Sequence, residues 1–194
     1  MPKGEGLTAA DVRPITVTSV VYRVWAARRV RKLIEWQEGW LHKAISSYRP
    51  GHGCDDVWFT QALLIEEALI TSKPLAGLSI DFTKAFDRVP THILFRLAER
   101  LGVEGGILKG VTSLYAQMRR HWKVGGFIGQ AFTSTNGILQ GCPLSVVLLN
   151  MLIHVWAATM DNENPESSPE AYADDLSITT RSVRAIRKGL AITQ

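Results

Sequence analysis

The hydrophobic positions of the chain recur with helical spacing in some segments and form unbroken apolar runs in others. Apolar residues three or four positions apart predict a helix over 19–45. A loop rich in Gly, Pro and polar residues covers 47–56, and a second helix is predicted over 57–72, where Pro74 ends the pattern. The apolar run 75–82 carries a carboxylate at its end and is typical of a buried strand.

Local signals also define the elements in the middle of the chain. A proline at 90 and a glycine at 102 bracket a helix predicted over 91–101, and another is predicted over 105–118. Three glycines within 121–135 indicate a β-hairpin. The charge-free stretch 141–160 predicts a loop that leads into a long buried helix, followed by a polar loop over 161–169.

The last part of the chain predicts a hairpin and a helix. Residues 170–180 are predicted to form a hairpin with two carboxylates at its tip, and residues 181–192 are predicted to form a basic amphipathic helix. Strands and helices alternate without βαβ regularity, so the class we predict is α+β. A length of 194 residues fits a single domain.

Composition excludes several classes of protein. The hydrophobic fraction of 46% and the charged fraction of 21% are those of a globular chain rather than a disordered one. Two cysteines exclude a disulfide scaffold. The longest charge-free apolar run, 146–160, is shorter than the ~20 residues of a membrane-spanning helix, and the N-terminus lacks a signal peptide. We therefore expect an intracellular protein, in the nucleus or cytoplasm, with no membrane partner.

Charge is distributed unevenly along the chain. Nine basic and four acidic residues lie between Met1 and Arg49, no charged residue lies within 125–160, and six acids without a base lie within 161–175. This segregation favours basic surfaces for a polyanion and a separate group of carboxylates for a cation. Uneven charge is also common in proteins without such partners, so the distribution alone leaves both readings open.

Three carboxylates lie where acids are costly. Asp81 ends an apolar strand, and Asp174 and Asp175 lie between two apolar segments. A buried, unpaired carboxylate costs several kcal/mol, and a shared divalent cation such as Mg²⁺ explains two strands that end in acids. For a single aspartate, a turn or helix cap is the alternative. These three carboxylates suit phosphoryl transfer with two metal ions. The sequence offers no competing catalytic motif of two common kinds, since it holds neither G-x-S-x-G nor a Walker-type phosphate loop.

Five motifs, in order, resemble those of the reverse transcriptase domain of non-LTR (LINE-like) retrotransposons, which are related to group II intron reverse transcriptases. Ala-Tyr-Ala-Asp-Asp-Leu at 171–176 resembles the Y-x-D-D motif. The other four are D-F-T-K-A-F-D-R-V at 81–89, G-I-L-Q-G-C-P-L-S at 137–145, Y-R-P-G-H-G-C-D-D at 48–56 and R-P-I-T at 13–16.

The resemblance implies a right-hand polymerase fold. We expect fingers and palm, with an antiparallel palm sheet backed by helices, and a thumb missing from the chain. Residues 1–194 would form one partial reverse transcriptase domain. Its fingers-like parts would be 11–76 and 104–135, and its palm-like parts 77–103 and 136–194.

The resemblance also assigns roles to individual residues. The catalytic and metal-binding carboxylates would be Asp81, Asp174 and Asp175, with the backbone carbonyl of Phe82 completing the shell of two Mg²⁺ ions, for which Mn²⁺ can substitute. The nucleotide-binding residues would be Phe86, Gln140, Gly141 and Arg23, and the primer and template contacts Tyr172, Pro143 and Arg49. Phe86 would act as a steric gate against a ribose 2′-OH. Phe86 and Tyr172 are equally suited to plain packing roles.

The implied activity is RNA-directed DNA polymerisation, with an RNA template, a DNA primer and deoxynucleoside triphosphates as partners. An alternative is a truncated, catalytically inactive remnant that still binds nucleic acid. A metal-dependent nuclease is disfavoured, because a nuclease does not select an incoming sugar. The tryptophans could stack on single-stranded template, although we expect most of them in the core.

Overall fold

The computed structural model describes residues 15–194. They form seven helices and five strands. In chain order these are α1 (Val20–Gln37), α2 (Cys54–Thr71), β1 (Ala76–Asp81), α3 (Ala85–Arg88), α4 (Thr91–Arg100), α5 (Gly105–Gln117), β2 (Arg120–Val124), β3 (Phe127–Phe132), α6 (Pro143–Glu163), β4 (Ser167–Tyr172), β5 (Asp175–Thr180) and α7 (Val183–Thr193). Arg13, which opens the first of the five motifs, and the start of the fingers-like segment 11–76 lie outside the described residues.

A three-stranded antiparallel sheet organises the fold. Its strand order is β1-β5-β4, whereas β2 and β3 form a separate two-stranded ribbon. The β1–β5 ladder runs from Ala76 opposite Thr180 to Asp81 opposite Asp175 without a bulge. Side chains alternate between the two faces of a strand, so Leu176 and Ile178 share one face, which is buried. The predicted α+β class, with an antiparallel sheet backed by helices, is confirmed.

Helix α6 lies at the centre of the core. Ten of its 21 residues are buried, and it packs against α1, α4, α7 and β4. By length and composition alone, this helix could cross a membrane, but 56% of its apolar window is buried inside the fold. Burial of that kind is typical of a core helix, which agrees with the predicted long buried helix.

Helix α1 ends at Gln37, whereas the helical spacing predicted that it would continue to Ile45. The Gln37 side chain is fully buried, and its amide donates to the carbonyl of Tyr48 at 2.9 Å. Beyond the helix, Ile45 forms a parallel bridge with Ala171. Residues 44–46 thus cover the outer edge of β4 and form backbone hydrogen bonds with Ala171. In a longer helix, the backbone groups of these residues would not be available for this edge. The predicted helix end was wrong for this tertiary reason.

Two other boundaries differ from the prediction. Helix α2 begins at Cys54 rather than at 57, because the Asp56 carboxylate accepts the backbone N–H of the N-cap residue Gly53 at 2.7 Å, which is the half of a capping box that glycine allows. The predicted polar loop 161–169 is short, since α6 extends to Glu163 and β4 begins at Ser167. The short helix α3 was not predicted.

Helix α2 lies against the second face of the sheet through polar contacts. Gln61 Nε2 donates to Ser177 Oγ at 2.6 Å, and Arg181 pairs with Glu67. Glu170 of β4 lies close by, and its Oε2 atom is buried without a hydrogen-bond partner among the described residues. Burial raises the pKa of the Glu170 carboxyl, an effect that Gln61 and Thr60 oppose.

Glu170→Gln is expected to raise the melting temperature near neutral pH. A carboxyl whose pKa is raised on folding stabilises the fold when protonated, and it loses that contribution as pH rises through the folded-state pKa. Glutamine retains the neutral form at every pH. The advantage of the variant should therefore vanish below the ordinary pKa of glutamate, when melting is followed by circular dichroism at several pH values. The exposed Glu166→Gln should show no such pH-dependent gain.

Candidate active site

The sheet register brings two of the predicted carboxylates face to face. Asp81 is the last residue of β1 and lies directly opposite Asp175, the first residue of β5. On β4, Tyr172 lies opposite Asp175 from the other side. Directly opposed residues point to the same face, so Tyr172, Asp175 and Asp81 form one row across the end of the sheet, on the face away from α6.

Asp174 lies in the turn between β4 and β5. Because Tyr172 pairs with Asp175, the connection contains two residues, Ala173 and Asp174. Ala173 has a φ of 55°, a left-handed conformation that normally favours Gly or Asn in such turns. That conformation costs ~1–2 kcal/mol for a residue with a Cβ. The core packing of Ala173 and the strand pairing on both sides hold the strained turn in place.

The three carboxylates suit a hard cation. Asp81 and Asp175 are exposed and Asp174 is half-buried, and none of them forms an ion pair with a side chain of residues 15–194. Opposed like charges are destabilising, which a divalent cation would relieve. Within the same residues, no three His, Cys, Asp or Glu side chains converge closely enough to hold a metal unaided.

Tyr48 lies beside this row. Ile45 forms a parallel bridge with Ala171, and the two segments run in the same direction from it. Three residues further on, the first segment reaches Tyr48 and the second reaches Asp174. Burial raises the pKa of the Tyr48 phenol, and the neighbouring Tyr172 and Asp174 raise it further. The phenol is therefore a neutral hydrogen-bond donor at the end of the sheet.

A buried polar network fixes the backbone at Tyr48. Asn150 of α6 donates to the Ser47 carbonyl at 3.0 Å and to Gln37 Oε1 at 3.3 Å. Ser47 Oγ donates in return to Asn150 Oδ1 at 3.0 Å, while Gln37 donates to the Tyr48 carbonyl. Because every amide group in this network has a partner, the loop next to the carboxylates is rigid. Neither this network nor a role for Tyr48 was predicted, although Tyr48 opens the quoted motif at 48–56.

The residues after β1 place two phenylalanines near the carboxylates. Phe82 follows Asp81 directly, and its carbonyl accepts the N–H of Ala85 at 3.2 Å. A carbonyl oxygen has two lone pairs, so one remains free to bind another group. Phe86 lies on α3 and packs against the core. Its carbonyl accepts the N–H of Ile138 at 2.7 Å, so α3 is tied to the segment that contains Gln140.

The Gln140–Gly141 segment is held against α3 and the described N-terminal residues. Gln140 Nε2 donates to Asp87 Oδ2 at 3.2 Å, and its carbonyl accepts the N–H of Thr16 at 2.9 Å. Gly141 has a φ of 97°, and a Cβ there would lie 3.3 Å from the Thr16 carbonyl oxygen. Asp87, which orients the Gln140 amide, is a further residue that the sequence analysis did not assign, although it lies inside a quoted motif.

The remaining predicted contacts lie on different elements of the fold. Pro143 is the first residue of α6, and Arg23 is exposed on α1. The Arg49 guanidinium is bound within the chain: it pairs with Glu38 at 2.8 Å and donates to the Ile45 carbonyl at 3.0 Å. Arg49 thus fastens the loop that carries Tyr48, and its contact with primer or template stays a prediction.

Comparisons with known proteins identify the family of the chain. A family model described as "Reverse transcriptase (RNA-dependent DNA polymerase)" matches residues 1–194. The Pol polyprotein of retrotransposable element R2DM of Drosophila melanogaster is 26% identical over 86% of this chain and 16% of the relative. The TX1 transposon 149 kDa protein of Xenopus laevis is 26% identical over 90% of this chain and 14% of the relative. The chain thus spans about a sixth of their length.

Solved structures show the same fold. Apo telomerase of Candida tropicalis, truncated from its C-terminal domain, aligns with a TM-score of 0.65 and 13% identity over 89% of this chain and 38% of that one. Telomerase of Candida albicans aligns with a TM-score of 0.59 and 15% identity over 89% of this chain and 31% of that one. The chain therefore has the fingers and palm fold of a right-hand polymerase. It belongs to the reverse transcriptase family, and it is a reverse transcriptase domain of the non-LTR retrotransposon type.

Proposed function

We propose that the chain carries the polymerase centre of a retroelement reverse transcriptase, which adds deoxynucleotides to a DNA primer 3′-OH on an RNA template. The observation that carries the proposal is the row of Asp81 and Asp175, with Asp174 in the adjoining turn. Opposed carboxylates destabilise a sheet unless they serve a cation. In this proposal the fingers-like parts are 11–76 and 104–135, the palm-like parts are 77–103 and 136–194, and the protein acts inside the cell.

The carboxylates would hold two Mg²⁺ ions, or Mn²⁺ in their place. Asp81 and Asp174 would be the main ligands, Asp175 the third carboxylate, and the free lone pair of the Phe82 carbonyl a further donor. Metal ions in such a pair lower the pKa of an attacking hydroxyl and stabilise charge on the leaving group. The chain supplies their positions: the β1–β5 ladder fixes Asp81 against Asp175, and the strained turn presents Asp174.

The incoming nucleotide would lie between α3 and the Gln140–Gly141 segment. Phe86 packs against the core and is tied through its carbonyl to Ile138, so its ring cannot withdraw easily from a ribose 2′-OH. The lack of a side chain at Gly141 lets this segment pack against Thr16, since a Cβ would lie 3.3 Å from the Thr16 carbonyl oxygen. Arg23 would contact the triphosphate. On the other side of the carboxylates, Tyr172 would contact the primer end, with Pro143 and Arg49 nearer the template.

Phe86→Ala is expected to increase ribonucleotide incorporation relative to deoxynucleotide incorporation. Removal of the ring opens space for a 2′-OH, so the ratio of kcat/KM for the two nucleotides should change by about 10–200-fold, the range for differences in small-group packing. Primer extension with each nucleotide alone measures the ratio. Phe95→Ala removes a partly buried ring on α4 and serves as the control, because it should lower stability without changing sugar selectivity. Unchanged selectivity in Phe86→Ala would remove the gate role.

A second candidate is the inactive remnant that binds nucleic acid without extending it. It is favoured by the lack of any three converging metal-binding side chains within residues 15–194. Binding and incorporation measured on the same preparation separate the two functions. A fluorescent DNA primer annealed to RNA is titrated with protein, and the same samples then receive Mg²⁺ and deoxynucleotides. Extension that stops on addition of EDTA supports the polymerase, whereas tight, salt-dependent binding without extension supports the remnant.

A further inference from the structure

Gln140 and Gly141 are the two central residues of a tight turn. The Cys142 N–H donates to the Leu139 carbonyl at 3.1 Å and closes this turn. Gly141 has a φ of 97°, and a left-handed φ at the third of the four turn residues favours glycine. The orientation of the Gln140 side chain therefore depends on how the two ends of the turn, Leu139 and Cys142, are fixed.

A side chain of α5 fixes the first end of the turn. The Tyr115 hydroxyl oxygen accepts the Leu139 N–H at 3.0 Å, and no backbone carbonyl within residues 15–194 accepts it. The N–H groups of Gly137 and Ile138, just before it, donate to backbone carbonyls instead. Leu139 is only 1% exposed, so water does not replace the phenol as an acceptor. Tyr115 is thus the one side chain on which the Leu139 peptide group depends.

The Tyr115 phenol is neutral. Burial raises its pKa, and the Leu139 N–H and Ser145 oppose that effect. Phenylalanine at this position would therefore retain the ring and remove one uncharged oxygen. The Leu139 N–H would then be buried without an acceptor, which is costly enough that the turn must move to find another partner.

A second tyrosine contacts the other end of the turn in a different way. The Tyr22 hydroxyl of α1 lies 3.1 Å from Cys142 Sγ. A thiol is a weak hydrogen-bond partner, and neither group belongs to the backbone. Loss of the Tyr22 hydroxyl would leave no peptide group unpaired, because the Cys142 N–H keeps the Leu139 carbonyl. The two tyrosines thus form a matched pair that differs in its effect on the backbone.

We propose that Tyr115 is a positioning residue for nucleotide binding: by accepting the Leu139 N–H, it holds the turn that presents Gln140 to the incoming deoxynucleotide. The nucleotide role rests on the proposed polymerase function, whereas the hold on the turn does not. Tyr115 acts through the backbone of the turn and not on the nucleotide itself. A role in packing alone would be preserved by phenylalanine, which has the same ring.

Tyr115→Phe is expected to raise the KM for deoxynucleotides about tenfold or more, because a misplacement of about 1 Å can cost about a hundredfold. The value of kcat should change less, and the Kd for a DNA primer annealed to RNA should stay the same. Steady-state primer extension and fluorescence anisotropy with the labelled duplex measure these quantities. Tyr22→Phe is the matched control and should leave the KM close to that of the unsubstituted protein.

Hydrogen exchange of the Leu139 amide, followed by NMR without metal or nucleotide, gives a readout that does not depend on activity. Tyr115→Phe should speed this exchange about tenfold or more, since the amide loses its buried acceptor. Tyr22→Phe should leave it unchanged. Amides of α6 report any general loss of stability, and the increase at Leu139 should exceed theirs.

Three results would overturn the inference. These are an unchanged KM in Tyr115→Phe, an equal rise of KM in Tyr22→Phe, and an exchange rate at Leu139 that increases no more than those of the α6 amides. The outcome is separable from the polymerase proposal. If Leu139 exchange rises in Tyr115→Phe but the unsubstituted protein extends no primer, the polymerase fails and Tyr115 remains an anchor of the turn only. If the unsubstituted protein extends primers and the KM does not respond to Tyr115→Phe, only the positioning role fails.

Discussion

Asp81→Asn is expected to abolish primer extension and, at the same time, to raise the melting temperature of the metal-free protein. Asp81 faces Asp175 across the β1–β5 ladder, so the substitution removes a metal ligand and a like-charge repulsion together. We expect extension to fall by at least about a thousandfold, because the metal contribution is several kcal/mol and each tenfold in rate corresponds to about 1.4 kcal/mol. Single-turnover extension on an RNA template measures the loss.

The gain in stability is smaller but opposite in sign. Directly opposed like charges destabilise a sheet by ~0.2–1 kcal/mol, which corresponds to at most about 2–4 °C for a chain of this size. The gain should shrink as salt is added, since both carboxylates are exposed. Addition of Mg²⁺ should raise the melting temperature of the unsubstituted protein more than that of Asp81→Asn, because a ligand that binds only the folded state stabilises it.

Asp55→Asn is the matched control. Asp55 is exposed in the first turn of α2, where a carboxylate favours the helix dipole, so its neutralisation should lower the melting temperature slightly and leave extension unchanged. If Asp81→Asn melts earlier than the unsubstituted protein, and Mg²⁺ shifts both equally, the opposed carboxylates are a structural feature and not a cation site.

Segments bounded by local signals were predicted well. Helix α4, between a proline and a glycine, was expected at 91–101 and is Thr91–Arg100, and strand β1, expected at 75–82, is Ala76–Asp81. Both depend on residues within a few positions, which are visible in the sequence. The end of α1 and the start of β4 depend on the pairing of residues 44–46 with Ala171, which links positions more than a hundred residues apart.

The candidate site shows the same division. Acids at strand ends are unusual enough to single out Asp81, Asp174 and Asp175 from the sequence, and the register then brings Asp81 opposite Asp175. Tyr48 and Asp87 lie inside quoted motifs, but a tyrosine in a loop and an aspartate on a short helix are ordinary, so neither was assigned a role from the sequence. Their relevance comes from their partners in the folded chain: Gln37 donates to the Tyr48 carbonyl, and Gln140 donates to the Asp87 carboxylate. Arg49 is the opposite case: its motif predicted a contact with primer or template, whereas in the fold its side chain pairs with Glu38.

Gly137→Ala is expected to destabilise the protein by about 2–5 kcal/mol and to impair nucleotide use. Gly137 has a φ of 90°, and a Cβ on it would lie 2.8 Å from the Asp87 carbonyl oxygen and 3.0 Å from the Asp87 Cα. The left-handed conformation costs ~1–2 kcal/mol for alanine, and forced repacking adds ~1–3 kcal/mol. The clash is with backbone atoms, so the two segments must separate.

Separation would act on the nucleotide-binding side of the site. The Gly137 N–H donates to the Val89 carbonyl at 2.8 Å, and the next residue donates to the Phe86 carbonyl. Loss of these bonds would release Gln140 from Asp87, so the KM for deoxynucleotides should rise in any Gly137→Ala protein that remains folded, with less change in RNA binding. Steady-state extension and urea denaturation measure the two effects.

Gly102→Ala separates the clash from the conformation. Gly102 has nearly the same φ, 88°, but a Cβ on it would meet nothing within 4 Å. Its substitution should therefore cost only the ~1–2 kcal/mol of the left-handed conformation and leave KM unchanged. The difference between the two variants measures the contact between residue 137 and the Asp87 backbone. Equal losses of stability, with equal KM values, would show that this contact does not hold the Gln140 segment in place.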